Sequence, residues 1–222
     1  MFTVLDKKKA KPVPIKEAQD EAQDQAQEQM SDEEAGKVIA EMLGADGKDL
    51  RTMMLYGDVN EERAGDMVAG LLMLHGHRKE EEDADNSIKF YISTYGGSAD
   101  DMFSVHDVMR FVKQDCDIET IGMGKIMSAG TLLLASGTKG KRKIGANCRV
   151  MIHSVIGGNH GSIHNLENEM EEIRNSQDTY MEALVRETSL TKRTLKKLLE
   201  RKVNIYLSAS EAVEYGIADI IV

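Results

Sequence analysis

The stretch 118–136, IETIGMGKIMSAGTLLLAS, sets the fold class. Its opening, IETIGMG, reads as a strand that leads to a lone serine, Ser128. The segment that follows, AGTLLLAS, is apolar nearly all round, which marks a buried helix. The stretch alone leaves two roles open for Ser128: a nucleophile at the start of a helix, or a small residue that lets the helix pack closely. It is not the G-x-S-x-G turn of α/β-hydrolases, because Ile126 takes the first glycine position.

Working outward, the strand-then-helix unit repeats. TMMLYGDV is a strand, and NEERAGDMVAGLLMLHGHR places Met67, Val68, Leu71, Leu72 and Leu74 at helical spacing, with Asp58 or Asn60 to cap it. After the acidic loop KEEEDADNS comes the strand IKFYIS, the tight turn TYGG, and a helix burying Met102, Val105, Val108, Met109 and Val112. This alternation predicts an α/β fold built from parallel β-α-β units.

Beyond Ser128, TKGKRKIGANCRVMIH gives a basic turn and a strand ending at His153, and SVIGGNHG is a glycine-rich loop. SIHNLENEMEEIRNSQDTYMEALVRET then carries Ile163, Leu166, Met170, Ile173, Tyr180, Leu184 and Val185 on one stripe. It makes about seven turns, too many to lie wholly on a core of this size, so part of it is expected to project and pair with another subunit. A basic helix, SLTKRTLKKLLERK, precedes a strand, a helix capped from Ser208 or Ser210, a stop at Gly216 and a last strand. Residues 1–48 differ from all this. They are acidic and rich in Gln, with few large apolar residues, and read as a disordered or partly helical arm; the folded domain is expected over 49–222.

Composition narrows the function classes. The chain has 222 residues, a net charge of −10, two cysteines and 14 methionines. The negative balance argues against nucleic acid and anionic membranes as partners. No run is long enough to span a membrane, and the lysine-bearing N-terminus lacks the apolar core of a secretory signal. Cys116 and Cys148 have no metal-like spacing, which suits a cytoplasmic chain with reduced thiols and no metal.

Three features carry the chemistry. A serine opens a buried helix, a histidine ends a strand downstream, and the turn TYGG lies between a strand and a helix. Serine needs a base to become a nucleophile, and a histidine at the carboxyl end of a strand is placed to be one. Gly96 and Gly97 suit the exposure of backbone N–H groups to an oxygen gaining negative charge. A nucleotide site at the same turn is disfavoured, since the phosphate-binding glycine pattern is absent and Asp100 and Asp101 occupy the helix's first turn.

From Arg51 to Val222 the chain resembles the ClpP family, the proteolytic subunits of the Clp protease. YISTYGG, GMGKIMSAGTLLLASGTKGKR, RVMIHSVIGG and YLSASEAVEYGIADIIV resemble its motifs, in family order. The resemblance implies a ClpP/crotonase-like fold of repeated β-β-α units, with 163–187 as a protruding handle helix. It implies Ser128 as nucleophile, His153 as general base, and the N–H groups of Gly97 and Ala129 as oxyanion hole. It further implies heptameric rings, stacked in pairs through the handles, that cleave unfolded polypeptides. A hexameric AAA+ unfoldase would feed them and consume the ATP, so this subunit needs no cofactor. The strand after VIGG would bind substrate backbone by β-addition. Tyr91 and Phe111 match aromatic positions of the unfoldase docking pockets, although each reads equally well as core.

The chain departs from the family pattern at the third triad position, where Asn204 stands for an aspartate, and at Lys202 and Val203, where an Asp-Arg pair that links rings is expected. Asparagine can orient a histidine but cannot stabilise its charge. The nearest acid, Glu200, falls a strand-length away, and three outcomes stay open: a slow peptidase, one with a substitute acid, or a non-catalytic ClpR-like subunit of a mixed ring. A crotonase-type acyl-CoA enzyme is a further alternative, disfavoured by the acidic first turn after Gly97.

Overall fold

The computed structural model describes residues 51–79, 85–199 and 204–222. The arm 1–48, together with Glu200, Lys202 and Val203, lies outside the described residues. The elements run β1 (Thr52–Tyr56), α1 (Glu61–Gly76), β2 (Ile88–Thr94), α2 (Ala99–Val112), β3 (Ile118–Met127), α3 (Ala129–Ala135), β4 (Lys143–Ile144), β5 (Arg149–Ile152), α4 (Ile163–Glu187), α5 (Lys192–Leu199), β6 (Ile205–Leu207), α6 (Ala209–Glu214) and β7 (Ile220–Ile221). The expected α/β class is present.

A parallel sheet runs β1-β2-β3-β4-β7. Its central strands turn apolar side chains into the core: Ile88, Phe90, Ile92, Ile118 and Ile126 are fully buried, while Lys89 between two of them is exposed. β3 is longer than the sequence suggests, and its two ends serve different partners. Ile121 and Gly122 pair with β4, while Lys125, Ile126 and Met127 pair with β5. β5 in turn pairs antiparallel with β6. The C-terminal end of β3 thus exchanges β4 for a small platform of β5 and β6 within the same sheet, with Ile126 still paired to Thr94 of β2, and there Met127 lies opposite Met151.

Helix α3 is buried at all seven positions. Each buried leucine contributes about 1.5–3 kcal/mol, so the start of this helix is fixed by its core. Asn60 caps α1, accepting from the Arg63 N–H, and Leu72 of that helix faces solvent rather than the core. Ser208 caps α6 in a reciprocal box with Glu211.

Helix α4 spans 163–187, as expected for the handle. Its last two turns are the most deeply packed, through Tyr180, Met181, Ala183, Leu184 and Glu187, and Gln177 and Ile173 make contact just before them. Toward its start Ile163, Leu166 and Met170 are 74%, 40% and 48% exposed, a stripe of apolar side chains left uncovered by the described residues.

Candidate active site

Pairing of β3 with β5 brings the serine and histidine segments together. The Ser128 N–H donates to the Met151 carbonyl at 2.8 Å, so the residue after β3 is pinned to the strand that ends just before His153. Ser128 Oγ and His153 Nε2 lie 2.8 Å apart, hydrogen-bonded across 25 residues of sequence. In the Nδ1–H tautomer the hydroxyl donates to Nε2, the arrangement a general base needs.

Ser128 sits at φ 54°, ψ −121°, the one non-glycine with positive φ among the described residues. Such a conformation costs on the order of 1–3 kcal/mol and needs surrounding structure to hold it. It lifts Oγ out of a strand-to-helix turn although the motif usual for such a turn is absent. The glycine that permits the close approach comes from another strand. A Cβ on Gly96, after β2, would fall 2.6 Å from Ser128 Cβ. Ile126 can therefore stay in the core at the position where the hydrolase motif needs glycine.

The turn after β2 is equally tight. Gly97 forms a parallel bridge with Val59, and a Cβ on it would fall within 1.9 Å of the Val59 carbonyl oxygen. That bridge uses the Val59 and Ser98 N–H groups as donors, not the Gly97 N–H. The Ala129 N–H opens α3, where no intrahelical acceptor exists. Gly97 and Ala129 both line one cavity of about 380 Å³, together with Ser128, His153, Tyr95, Met102, Val155 and Ile156. Two candidate oxyanion donors thus border the same space as the serine and histidine. Among the described residues no lysine or arginine lines the cavity.

Asn204 comes near His153 but makes no hydrogen bond to it among the described residues. The register Ile152–Ile205 sets it across from His153 on the next step of the antiparallel ladder. Its side chain is exposed, and among the described residues His153 Nδ1 has no hydrogen-bond partner. Tyr91 and Phe111 lie outside the cavity. Tyr91 is half-buried on β2 between Met54 and Ile121, and the half-exposed Phe111 ring meets the His75 ring at 5.2 Å.

Sequence reasoning missed Tyr180. It counted there as a member of an apolar stripe, yet its hydroxyl donates to the Ser128 carbonyl at 3.1 Å. Burial pushes its ionisation far above the ordinary phenol range, so it acts as a neutral donor. A tyrosine on a stripe otherwise made of aliphatic residues was the only signal.

No helix among the described residues is long and apolar enough to cross a membrane, and no cluster there of three or more His, Cys, Asp or Glu could hold a metal. The Clp protease family model matches residues 31–222, most of the chain. The match begins before the segment where the sequence resemblance starts, and it takes in the serine, the histidine and the whole sheet. This chain belongs to the Clp protease family, with its α/β fold, and is a peptidase.

Proposed function

We propose that the protein is a serine endopeptidase subunit of a ring-shaped, self-compartmentalising protease. The observation that carries this reading is the 2.8 Å contact between Ser128 Oγ and His153 Nε2, at a cavity bordered by two available N–H groups. A peptide carbonyl seated there accepts from the Gly97 and Ala129 N–H groups. His153 Nε2 takes the hydroxyl proton as Oγ bonds to the carbonyl carbon, and the negative charge that develops on oxygen is held by the two donors. His153 then gives the proton to the leaving amine, leaving an acyl group on Ser128. Water, deprotonated by the same histidine, releases it.

The exposed apolar stripe of α4 supports assembly through that helix, with two rings enclosing a chamber. An AAA+ unfoldase, docked near Tyr91 and Phe111, delivers unfolded chains and spends the ATP.

A second reading is favoured by one observation, the unengaged Asn204. Without a carboxylate beside Nδ1 the imidazolium gains no charge partner, and in a Ser-His-Asp protease the corresponding Asp-to-Asn change costs roughly 10⁴ in rate. The chain is then a weakly active or ClpR-like subunit that depends on a catalytic neighbour.

A fluorophosphonate reagent separates the two readings, because it needs an activated serine but no unfoldase. Labelling of the sized wild-type oligomer at Ser128, and none of Ser128→Ala, supports the peptidase. An assembled wild type that stays unlabelled favours the non-catalytic subunit.

A further inference from the structure

The packed end of α4 reaches both halves of the site. Tyr180 OH donates to the Ser128 carbonyl at 3.1 Å. One turn earlier on the same helix, Gln177 Oε1 accepts from the Val155 N–H at 2.7 Å, two residues past His153. The Gln177 Nε2 has no partner among the described residues and is buried, a cost tolerated at this position. Thr131, inside α3, closes the arrangement. Its N–H donates to the Ser128 carbonyl at 2.9 Å and its Oγ1 donates to the Met151 carbonyl at 3.1 Å. The Met151 carbonyl also receives the Ser128 N–H.

We infer that Gln177 and Tyr180 are positioning residues, a two-point clamp by which α4 holds the histidine segment and the serine segment at their reactive separation. The inference rests on the reading of Ser128 and His153 as nucleophile and base. The physical need is on the page. Ser128 is held at positive φ, and a strained residue relaxes unless its peptide groups are fixed on both sides. Its N–H is fixed by Met151, and its carbonyl by Thr131 and Tyr180. His153 lies just beyond the end of β5; the Ser154 hydroxyl reaches the Leu199 carbonyl at 3.5 Å, and the Gln177 amide anchors the backbone itself at Val155 at 2.7 Å. Both clamp residues come from one rigid helix, so the two segments are referenced to a common frame.

Tyr180→Phe keeps the ring and removes the donor, and Gln177→Met keeps the volume and removes the acceptor. With a short fluorogenic peptide, each is expected to lower kcat roughly five- to tenfold, the worth of one hydrogen bond, with KM within about twofold. The double variant should lose less than the product of the two, because one misplaced segment already spoils the geometry. Single variants with unchanged kcat, or with KM and kcat altered together, would overturn the clamp. Hydrogen exchange gives an arm independent of catalysis: the peptides holding Ser128 and Val155 should exchange faster in the variants, while the β1–β2 peptides should not. Unchanged exchange at both sites overturns the clamp even if activity falls. A wild type that exchanges as expected but turns over no peptide sinks the proposed function and leaves the clamp standing as a structural device.

Discussion

At the scale of single residues, the site depends on two substitutions that test separate parts of it. Gly97 has no room for a side chain, since a Cβ would strike the Val59 carbonyl. Gly97→Ala must move the turn and with it one of the two proposed oxyanion donors. The expected loss in kcat is about 10²–10³, with assembly intact; a variant within tenfold of wild type would remove Gly97 from the mechanism. Asn204 faces His153 across the β5–β6 ladder but is exposed and makes no bond to it. Asn204→Asp would supply the missing charge, and the predicted gain in kcat is roughly 10- to 100-fold. That is short of the ~10⁴ known for a well-engaged aspartate, because the side chain must first turn inward. No gain would mean that the limiting factor is not charge beside Nδ1. The sequence showed which residue stands at this position, through the motif YLSASEAVEYG. It could not show the side chain's direction, which depends on how the end of β6 meets the platform.

At the scale of elements, the end of α4 is joined to α2 by a buried charge cluster that local pattern could not reveal. Glu187 contacts His106 at 3.3 Å and Lys113 at 3.4 Å, and its own carbonyl receives Arg142 at 2.7 Å. His106 and Glu187 are 81 residues apart, and no periodicity predicts such a partner. Burial alone would raise the Glu187 carboxyl. The His106 hydrogen bond and the Lys113 charge outweigh that and hold it at about 2. A depressed carboxyl adds stability above its unfolded pKa, near 4.3, and that stability is lost as pH falls toward the folded value. Wild type should therefore lose more melting temperature between pH 4.5 and about 2 than Glu187→Gln does. Asp219, which Arg142 holds low against its own burial, contributes to both and cancels in the comparison. Parallel curves would show that Glu187 is not the titrating group.

The elements themselves were legible where pattern and burial agree. Helix 163–187 was read at its full length from its stripe. Strand β3 was cut short at Gly124 because Lys125 breaks the apolar run, and only the pairing with β5 explains why the strand continues to Met127. Tyr180 and Gln177 illustrate the opposite limit. Their partners are backbone groups of distant segments, and a side chain that bonds a backbone group leaves no mark of that partner in its own sequence neighbourhood.

At the scale of the whole molecule, a core fixed by α3 and the parallel sheet carries one long helix whose first turns leave an apolar stripe exposed among the described residues. The proposed ring pairing gives that stripe its cover. Leu166→Glu combined with Met170→Glu places charge on it without touching the packed end of α4. Sedimentation should then show loss of the stacked assembly, with the fold unchanged by circular dichroism. An assembly of unchanged mass would place the contact between rings elsewhere.

The most direct test of the central claim is hydrolysis of a short fluorogenic peptide by the sized, assembled protein and by its Ser128→Ala variant. Such a peptide needs no unfoldase to reach the site in the proposed assembly, so the assay reads the chemistry of the site alone. The account predicts turnover by the wild type and none above background by the variant. Equal turnover by both, or none by an assembled wild type, would contradict it.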